Sequence, residues 1–305
     1  MKDRKPKNIA ASVRQRLFNI AKSSDRPFQE VLQYYAMERF LYRLTQSPHA
    51  DRFVLKGALM FHVWGAPTSR PTKDIDLLGH MENTTAALAA VMRDICNQTV
   101  EADGLDFDPQ SVAAVVIKED ADYEGVRVTF RGTLENARIA MQIDVGFGDV
   151  TYPSPEVTEY PTILDHAAPQ LRGYARETAV AEKFEAMVKL GLANSRMKDF
   201  YDIWVLSRQF DFDGAKLASA IEKTFAHRGT TVTPQPTAFS KAFATDPTKV
   251  MQWQAFLRKS RLNDAPVELA EVVGAVAAFL ISPAEAICDG QSFGETWRAP
   301  GPWPS

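Results

Sequence analysis

The sequence of 305 residues is poor in the residues that build disulfide frameworks and zinc sites. Its two cysteines, Cys96 and Cys288, form no C-x-x-C pair and accompany no histidine cluster, so neither kind of site is expected. A signal-peptide core and a long uncharged apolar run are also missing. We therefore expect a cytoplasmic protein that does not contact a membrane.

The chain also lacks the basic excess that is typical of proteins that coat nucleic acids. Its formal net charge is -3, with 45% hydrophobic and 24% charged residues, which is an ordinary balance for a globular protein. Any polynucleotide contact has to come from a local patch. One candidate, interpreted as a solvated tail or as a phosphate-binding arm, is the basic segment with Lys2, Arg4, Lys5 and Lys7.

Apolar spacing predicts an α/β (α+β) protein, in which a mixed sheet with flanking helices is followed by a mainly helical lobe. Helical spacing covers residues 8–46 and is broken near Pro27. Alternating runs that predict antiparallel strands lie at residues 112–118, 125–131 and 138–145. A segment rich in proline, glycine and threonine follows between Gly146 and Pro169. The expected divisions are N-terminal helices over residues 1–50, a sheet-containing core over 51–160 and a helical C-terminal lobe over 161–305.

The run from Thr72 to Leu78 alternates polar and apolar residues, as a half-buried strand does. Such a strand places Asp74 and Asp76 on one face and the apolar residues on the other. Two carboxylates in this arrangement can hold a divalent cation, because hard cations such as Mg²⁺ or Mn²⁺ prefer oxygen ligands. An isolated D-x-D also occurs on the solvated face of many strands, so the neighbouring sequence decides between the two interpretations.

Two neighbouring features favour the cation site. Gly57 and Ala58 form a turn into a short helix, and the backbone N–H groups of such a turn suit a triphosphate. The alternating segment around Asp144 offers a third carboxylate if the two strands are neighbours. Three acids at one sheet edge repel one another unless a cation compensates them, although Asp144 would also be ordinary as a strand residue in contact with solvent.

Two sequence blocks carry a resemblance to a known family. The first is Leu55-Lys56-Gly57-Ala58-Leu59-Met60 followed by Arg70-Pro71-Thr72-Lys73-Asp74-Ile75-Asp76-Leu77. The second is Glu182-Lys183-Phe184-Glu185-Ala186 followed by Arg196-Met197-Lys198-Asp199-Phe200-Tyr201-Asp202-Ile203. In this order the blocks resemble the glycine motif, the R-x-T-x-D-I-D signature, the lysine helix and the K-D-x-Y-D motif of AbiEii-type toxin nucleotidyltransferases, including the MenT-like group, in the polymerase-beta superfamily.

The resemblance implies a nucleotidyltransferase fold and a role for each motif residue. The implied metal ligands are Asp74, Asp76 and Asp144. The implied catalytic residues are these three acids with Lys183, which would reach the phosphates, and Asp199. The implied nucleotide-binding residues are Lys56, Gly57, Ala58, Arg70, Thr72, Lys198 and Asp202. The family usually has a glycine or a serine where this chain has Ala58, so a hydroxyl contact to the phosphates is lost while backbone contacts persist.

For several of these residues a structural role is also open. Arg70 and Lys56 would either clamp a phosphate or neutralise the acids. Arg196 and Lys198 would either contact a triphosphate or be ordinary surface charges. Asp202 would either line the site or brace its own helix through a buried hydrogen bond.

The implied reaction transfers a nucleoside monophosphate from an NTP–Mg²⁺ complex to an acceptor hydroxyl, with pyrophosphate leaving. By the same resemblance the acceptor is the 3′ end of tRNA, the consequence is growth arrest, as in phage defence, and a cognate antitoxin is a partner. A protein side chain or a small molecule is the alternative acceptor, since the same metal chemistry serves many acceptors. A non-catalytic binding module that retains the fold is the alternative from a different functional class.

Overall fold

The computed structural model describes residues 8–66, 70–120 and 123–304, with the backbone only for 118–120, 123 and 124. The basic segment predicted from Lys2, Arg4, Lys5 and Lys7 lies outside the described residues. The chain forms two units, each with its own packing. The first comprises Met1–Gly65, Pro71–Gly148 and Glu156–Gly173, and the second comprises Ala66–Arg70, Asp149–Pro155 and Tyr174–Ser305.

A mixed β-sheet forms the centre of the first unit. Its strands, in chain order, are β1 (Phe53–Lys56), β2 (Ile75–Gly79), β3 (Leu105–Asp120), β4 (Tyr123–Leu134), β5 (Ala137–Phe147), β6 (Glu156–Glu159) and β7 (Gln170–Gly173). Across the described residues the seven strands have the spatial order β3-β4-β5-β2-β1-β7-β6. β2 runs parallel to β5 and antiparallel to β1, while β3, β4 and β5 form an antiparallel meander. The mixed sheet expected from the sequence is confirmed.

Helices cover this sheet. They are α1 (Ile9–Ser23), α2 (Phe28–Gln46), α3 (Met60–Val63) and α4 (Thr85–Cys96). Side-chain oxygens of Asn8 and Thr84 cap α1 and α4 by accepting hydrogen bonds from backbone N–H groups at 3.0 and 3.2 Å. The chain breaks between α1 and α2 at Pro27, as predicted, because proline lacks the N–H that a helix interior requires. α2 and α4 pack on the sheet and supply its apolar layer.

Two short strands of the sheet were not predicted. β6 and β7 lie in or directly after the segment rich in proline and threonine, and β7 pairs in parallel with β1. Each has only four residues, which show at most two alternations and therefore give a periodicity search almost nothing to detect. The long strands β3, β4 and β5 also extend beyond their predicted limits.

A buried ion network ties α2 to the segments around it. The Asp103 carboxylate accepts hydrogen bonds from Arg39 Nε at 3.1 Å and from Arg43 Nη1 and Nη2 at 2.7 and 3.0 Å. Glu38, fully buried, accepts a hydrogen bond from the Ile163 N–H at 2.7 Å and lies 3.4 Å from Arg39 Nη1. Burial raises the pKa of Glu38 to about 7, against the lowering effects of the Ile163 N–H and Arg39.

The second unit is mainly helical. Its helices are α5 (Arg176–Leu190), α6 (Met197–Gln209), α7 (Gly214–Arg228), α8 (Lys241–Ala244), α9 (Pro247–Ser260) and α10 (Leu269–Cys288), and the two-residue strands β8 (Phe212–Asp213) and β9 (Thr296–Trp297) pair with each other. The tail after α10 is mostly irregular, yet it is anchored. Trp297 Nε1 donates to the Ser207 carbonyl at 2.6 Å and Trp303 Nε1 donates to the Phe279 carbonyl at 2.9 Å. An indole anchors a segment without regular structure because it combines apolar area with one N–H donor.

One described helix, α10, is long and apolar enough to cross a membrane by length and composition alone. It includes Glu271 and Glu285. It packs against α6 and α7, with Val272, Val276 and Leu280 fully buried. The core of a helical unit also contains apolar helices with one buried face, so the composition of α10 fits this position as well.

Glu38→Gln should remove a loss of stability that the wild type shows as the pH rises. Because the pKa of Glu38 is raised from 4.5 to about 7, the folded chain binds this proton more tightly than the unfolded chain, and stability falls as the pH rises through this window. Relative to the variant, the free energy of unfolding of the wild type should decrease by up to about 1.4 kcal/mol per pH unit.

Urea unfolding between pH 5 and pH 8 measures this difference. Glu30→Gln, in the first turn of the same helix, is the control for replacing a glutamate of α2 by glutamine. Parallel pH curves for the wild type and Glu38→Gln would contradict the raised pKa.

Candidate functional site

Three carboxylates meet on one face of the sheet. Asp74 immediately precedes β2, Asp76 lies in β2, and Asp144 lies in β5. β2 and β5 are parallel neighbours whose register places Asp76 opposite Asp144. One oxygen from each of the three side chains lies within 4.8 Å of the others. The structure therefore brings together the three acids that the sequence singled out, which we call the acidic triad.

Asp74 and Asp76 come together at the start of β2. Ile75 is completely buried on one face of the strand and Asp76 projects from the other, while Asp74, in the bend before the strand, brings an oxygen within 4.8 Å of Asp76. The Thr72 hydroxyl donates a hydrogen bond to the Asp74 carboxylate and so sets its orientation. The Thr72 backbone N–H in turn donates to Tyr34 Oη at 3.0 Å. Thr72 thus positions a carboxylate of the triad.

The backbone of Gly57 passes directly beside the Asp76 side chain. Gly57 has a φ of +71°, and a Cβ built on it would lie 2.8 Å from Asp76 Cβ and closer still to the carboxylate. Only glycine allows both this left-handed conformation and this approach. Gly57 opens a 3-10 turn before α3, which has only four residues, so N–H groups of the turn matter more here than a helix dipole. Ala58 is buried within this turn.

Arg127, which sequence reasoning missed, holds Asp144. Its Nε lies 2.8 Å from Asp144 Oδ1 and its Nη2 lies 2.7 Å from Oδ2, so the ion pair is bidentate. The Gln142 amide also donates to Oδ2, at 3.2 Å. The hydrogen bonds to Asp144 raise the pKa of Arg127, and the charges of Asp74 and Asp76 raise it further.

The signal that would have revealed Arg127 is the tight turn between β4 and β5. Leu134 pairs with Ala137 across two intervening residues, and the same register places Arg127 opposite Asp144. The predicted strands at residues 125–131 and 138–145 leave the length of the turn between them open. Once the length is known, the partner of Asp144 follows.

A row of four charges crosses the centre of the sheet. Strand pairing sets Arg127 of β4 opposite Asp144, Asp144 opposite Asp76, and Asp76 opposite Lys56 of β1. Residues directly opposite each other on neighbouring strands lie on the same face. A cation therefore stands at each end of the row, and the two cations compensate part of the repulsion between the acids.

The acidic triad suits a divalent cation. Carboxylate oxygens are the ligands that Mg²⁺ and Mn²⁺ prefer. At Mg–O distances of about 2.1 Å two ligands of one ion lie up to roughly 4.2 Å apart, and a pair of ions about 3.5–4 Å apart spans more. Oxygens within 4.8 Å of one another fit either case after small side-chain rotations. Asp74, Asp76 and Asp144 are thus residues that could hold the metal.

The second unit contains another group of motif residues, which we call the lysine cluster. Lys183 Nζ of α5 lies 2.9 Å from Asp199 Oδ1 and 2.8 Å from Asp202 Oδ2. Arg70 donates to the Asp202 carboxylate through Nε at 3.0 Å and Nη2 at 3.2 Å. Arg196 Nε lies 2.7 Å from Asp199 Oδ2, as an ion pair without a well-aligned hydrogen bond. Two buried carboxylates of α6 are therefore compensated by three cationic side chains.

Burial and charge act against each other in the lysine cluster. Burial lowers the pKa of Lys183, but the carboxylates of Asp199 and Asp202 outweigh burial and the net shift is upward. Burial raises the pKa of Asp199, but the charges of Lys183, Arg196 and Lys198 outweigh it and hold the pKa well below its usual range. Both groups are therefore charged at neutral pH, and each makes the burial of the other tolerable.

The structure distributes the predicted site residues between the two units. Those of the first unit are Lys56, Gly57, Ala58, Thr72, Asp74, Asp76 and Asp144. Those of the second unit are Arg70, Lys183, Lys198, Asp199 and Asp202. Lys198 is exposed on α6, whereas Asp202 is buried and joins α5, α6 and Arg70 through ion pairs. These contacts are of the kind that bracing requires, which is one of the two roles that the sequence leaves open for Asp202.

Gly57→Ala should damage the acidic triad more than a matched glycine substitution does. Gly57 and Gly65 both have a φ of +71°, so alanine at either position should cost about 1–2 kcal/mol of stability. A Cβ on Gly65 meets nothing within 4 Å, whereas a Cβ on Gly57 collides with Asp76. We expect Gly57→Ala to weaken Mn²⁺ binding by about tenfold or more, measured by calorimetry, and Gly65→Ala to leave it unchanged. Equal Mn²⁺ affinities in the two variants would contradict this role of Gly57.

Comparison with solved structures shows the fold. The chain is similar to JHP933 from Helicobacter pylori, with a TM-score of 0.51, 16% sequence identity, and coverage of 86% of this chain and 96% of that one. It is also similar to a candidate nucleotidyltransferase from H. pylori, with a TM-score of 0.50, 15% identity, and coverage of 85% and 97%. No curated protein matches the chain.

Comparison with protein families is more specific. The profile of the family described as nucleotidyl transferase AbiEii toxin, type IV TA system, matches residues 39–278. This match includes the sheet with the acidic triad and both blocks of sequence motifs, and it covers most of the chain. The chain therefore belongs to the AbiEii family of nucleotidyl transferase toxins of type IV toxin–antitoxin systems.

Proposed function

We propose that this nucleotidyltransferase moves a nucleoside monophosphate from an NTP to the 3′ end of tRNA, with pyrophosphate leaving. The observation that carries the proposal is the acidic triad of Asp74, Asp76 and Asp144, which two parallel strands assemble in a chain of a nucleotidyl transferase family. A divalent cation bound there, Mg²⁺ or Mn²⁺, would compensate the charge of the phosphates.

The residues of the first unit have distinct proposed roles. Asp74 and Asp76 would hold a divalent cation, which would supply positive charge for the phosphates, and Asp144 would activate the attacking hydroxyl or help to hold a second ion. The support is geometric, since the Thr72 hydroxyl already orients the Asp74 carboxylate. Backbone N–H groups of the turn at Gly57 and Ala58, together with the Lys56 ammonium, would bind phosphate oxygens.

The lysine cluster has a proposed role in phosphate binding. An ammonium group has three N–H donors, and two of those of Lys183 are directed to Asp199 and Asp202. The third donor would then bind a phosphate oxygen of the NTP. Asp199 and Asp202 keep Lys183 charged and fixed in direction, and Arg70 supports Asp202. The exposed Lys198 would add an outer contact to the triphosphate.

Membership of a type IV toxin–antitoxin family implies an antitoxin partner. We propose that the modified tRNA 3′ end no longer accepts an amino acid and that growth arrest follows, in the cytoplasm and as part of phage defence. The antitoxin of such a system need not contact the toxin. The proposal therefore assigns no surface of this chain to the antitoxin.

Asp76→Asn should strongly reduce nucleotidyl transfer and preserve the fold. The amide keeps the shape of the side chain but removes the negative charge that binds the cation, so we expect a loss of roughly 10²–10³-fold in rate. The assay incubates the protein with radiolabelled NTPs, one at a time, and total RNA. Asp165→Asn, at a carboxylate that is 100% exposed, is the matched control and should equal the wild type.

The destination of the label decides between acceptors. Label at the 3′ ends of tRNA supports the proposal. Label only in protein or in a small molecule would replace the acceptor and leave nucleotidyl transfer intact. Unchanged transfer by Asp76→Asn would contradict catalysis by the triad, and a toxic chain that transfers no label would be a binding module.

Lys183→Met should destabilise the second unit as well as reduce transfer. The variant leaves the buried Asp199 and Asp202 with fewer cationic partners, which should cost about 3 kcal/mol in the free energy of unfolding. Lys189→Met, at an exposed position of the same helix, is the control for loss of a lysine. Thermal unfolding measures both variants, and equal melting temperatures would contradict the bracing of this cluster by Lys183.

A further inference from the structure

Both oxygens of Asp144 are engaged by Arg127. The guanidinium approaches in a fork, with Nε on Oδ1 at 2.8 Å and Nη2 on Oδ2 at 2.7 Å. Such bidentate, charge-assisted pairs are among the strongest and most directional hydrogen-bonded contacts in proteins. Asp144 is thus fixed by a cation of the protein itself.

A divalent cation would have to share this carboxylate with Arg127. The Asp144 oxygen that lies within 4.8 Å of the ligand oxygens of Asp74 and Asp76 is one that Arg127 also engages. Moreover, a guanidinium and a divalent cation repel each other when both approach the same oxygens. Binding of the cation and full engagement of Arg127 are therefore mutually opposed.

Arg127 is placed so that it can withdraw. Its side chain is 40% exposed, whereas that of Asp144 is 8% exposed. Asp144 is further held by the Gln142 amide at 3.2 Å and by its place in the centre of the sheet. When the ion pair opens, the arginine is therefore the partner that can move toward solvent.

We propose that Arg127 is an exchangeable counter-ion of the acidic triad, which holds Asp144 in position before the divalent cation arrives and releases one or both of its oxygens when the cation binds. This inference rests on the proposed function, since it takes the triad as the cation site. Arg127 is a positioning residue, acting through Asp144. Its presence lowers the affinity for the cation and stabilises the cation-free protein.

The test is Mn²⁺ binding to the full chain without nucleotide, measured by the electron paramagnetic resonance signal of free Mn²⁺. Arg127→Gln removes the competing charge, so the dissociation constant for Mn²⁺ should fall by about tenfold. The variant should also melt at a lower temperature than the wild type without Mn²⁺, and saturating Mn²⁺ should raise its melting temperature by more. A merely structural arginine would give weaker binding when removed.

Arg131→Gln is the matched control. Arg131 lies four residues further along β4 on the same face and pairs with Asp108 at 2.9 Å, away from the triad carboxylates in the strand register. Its loss should leave the Mn²⁺ affinity unchanged. In an Asp144→Asn background, the effect of Arg127→Gln should shrink to less than half, because the group that the arginine and the cation share is then altered.

The outcomes separate this inference from the proposed function. If the wild type binds Mn²⁺ and Arg127→Gln binds it equally or more weakly, Arg127 is not a counter-ion of the triad. The cation site itself is then still supported. No Mn²⁺ binding by any variant overturns the cation site and, with it, this inference. If Arg127→Gln does not fold, Arg127→Lys takes its place. Because a lysine ammonium cannot make the bidentate contact of a guanidinium, this variant should bind Mn²⁺ about threefold more tightly than the wild type.

Discussion

Repulsion between like charges is the physical constraint on which the organisation of the first unit depends. Asp74, Asp76 and Asp144 place three carboxylate oxygens within 4.8 Å of one another, an arrangement that is unfavourable without compensation. The sheet supplies part of the compensation from its own strands, with Arg127 at one end of the charged row and Lys56 at the other. Glycine at position 57 lets the backbone come close to these charges, where a side chain would push them aside.

The chain uses ion pairs in two ways that differ in exposure. Asp103 is 1% exposed and its carboxylate is surrounded by the guanidinium groups of Arg39 and Arg43, so it has little capacity for a further ligand. Asp74 and Asp76, by contrast, are only half-buried. Saturated and buried pairs hold elements together, whereas partly exposed carboxylates can be reached by a ligand. This difference distinguishes the acidic triad from the structural network of α2.

The sequence was sufficient for the features that repeat along the chain and insufficient for those that depend on pairing at a distance. Alternation from Thr72 to Leu78 predicted a strand that contains both Asp74 and Asp76; the observed strand β2 begins at Ile75, so only Asp76 lies in it, yet an oxygen of Asp74 still lies within 4.8 Å of one of Asp76. That Asp144 lies beside these two acids could be predicted only if its strand was a neighbour of theirs. The periodicity of a sequence does not show which strands are neighbours. β6 and β7 were too short to be detected. The partner of Arg70 was also out of reach, because Asp202 lies far along the chain and belongs to a helix.

The two-residue turn at Glu135 and Asn136 has a consequence for the chemistry at the other end of its hairpin. It sets which side chains of β4 and β5 face each other, and seven residues, or roughly 23 Å of strand, separate it from Arg127 and Asp144. A slip of the hairpin register by one position would send one of these two side chains to the opposite face. The geometry of a two-residue turn thereby governs the electrostatic balance of a distant site.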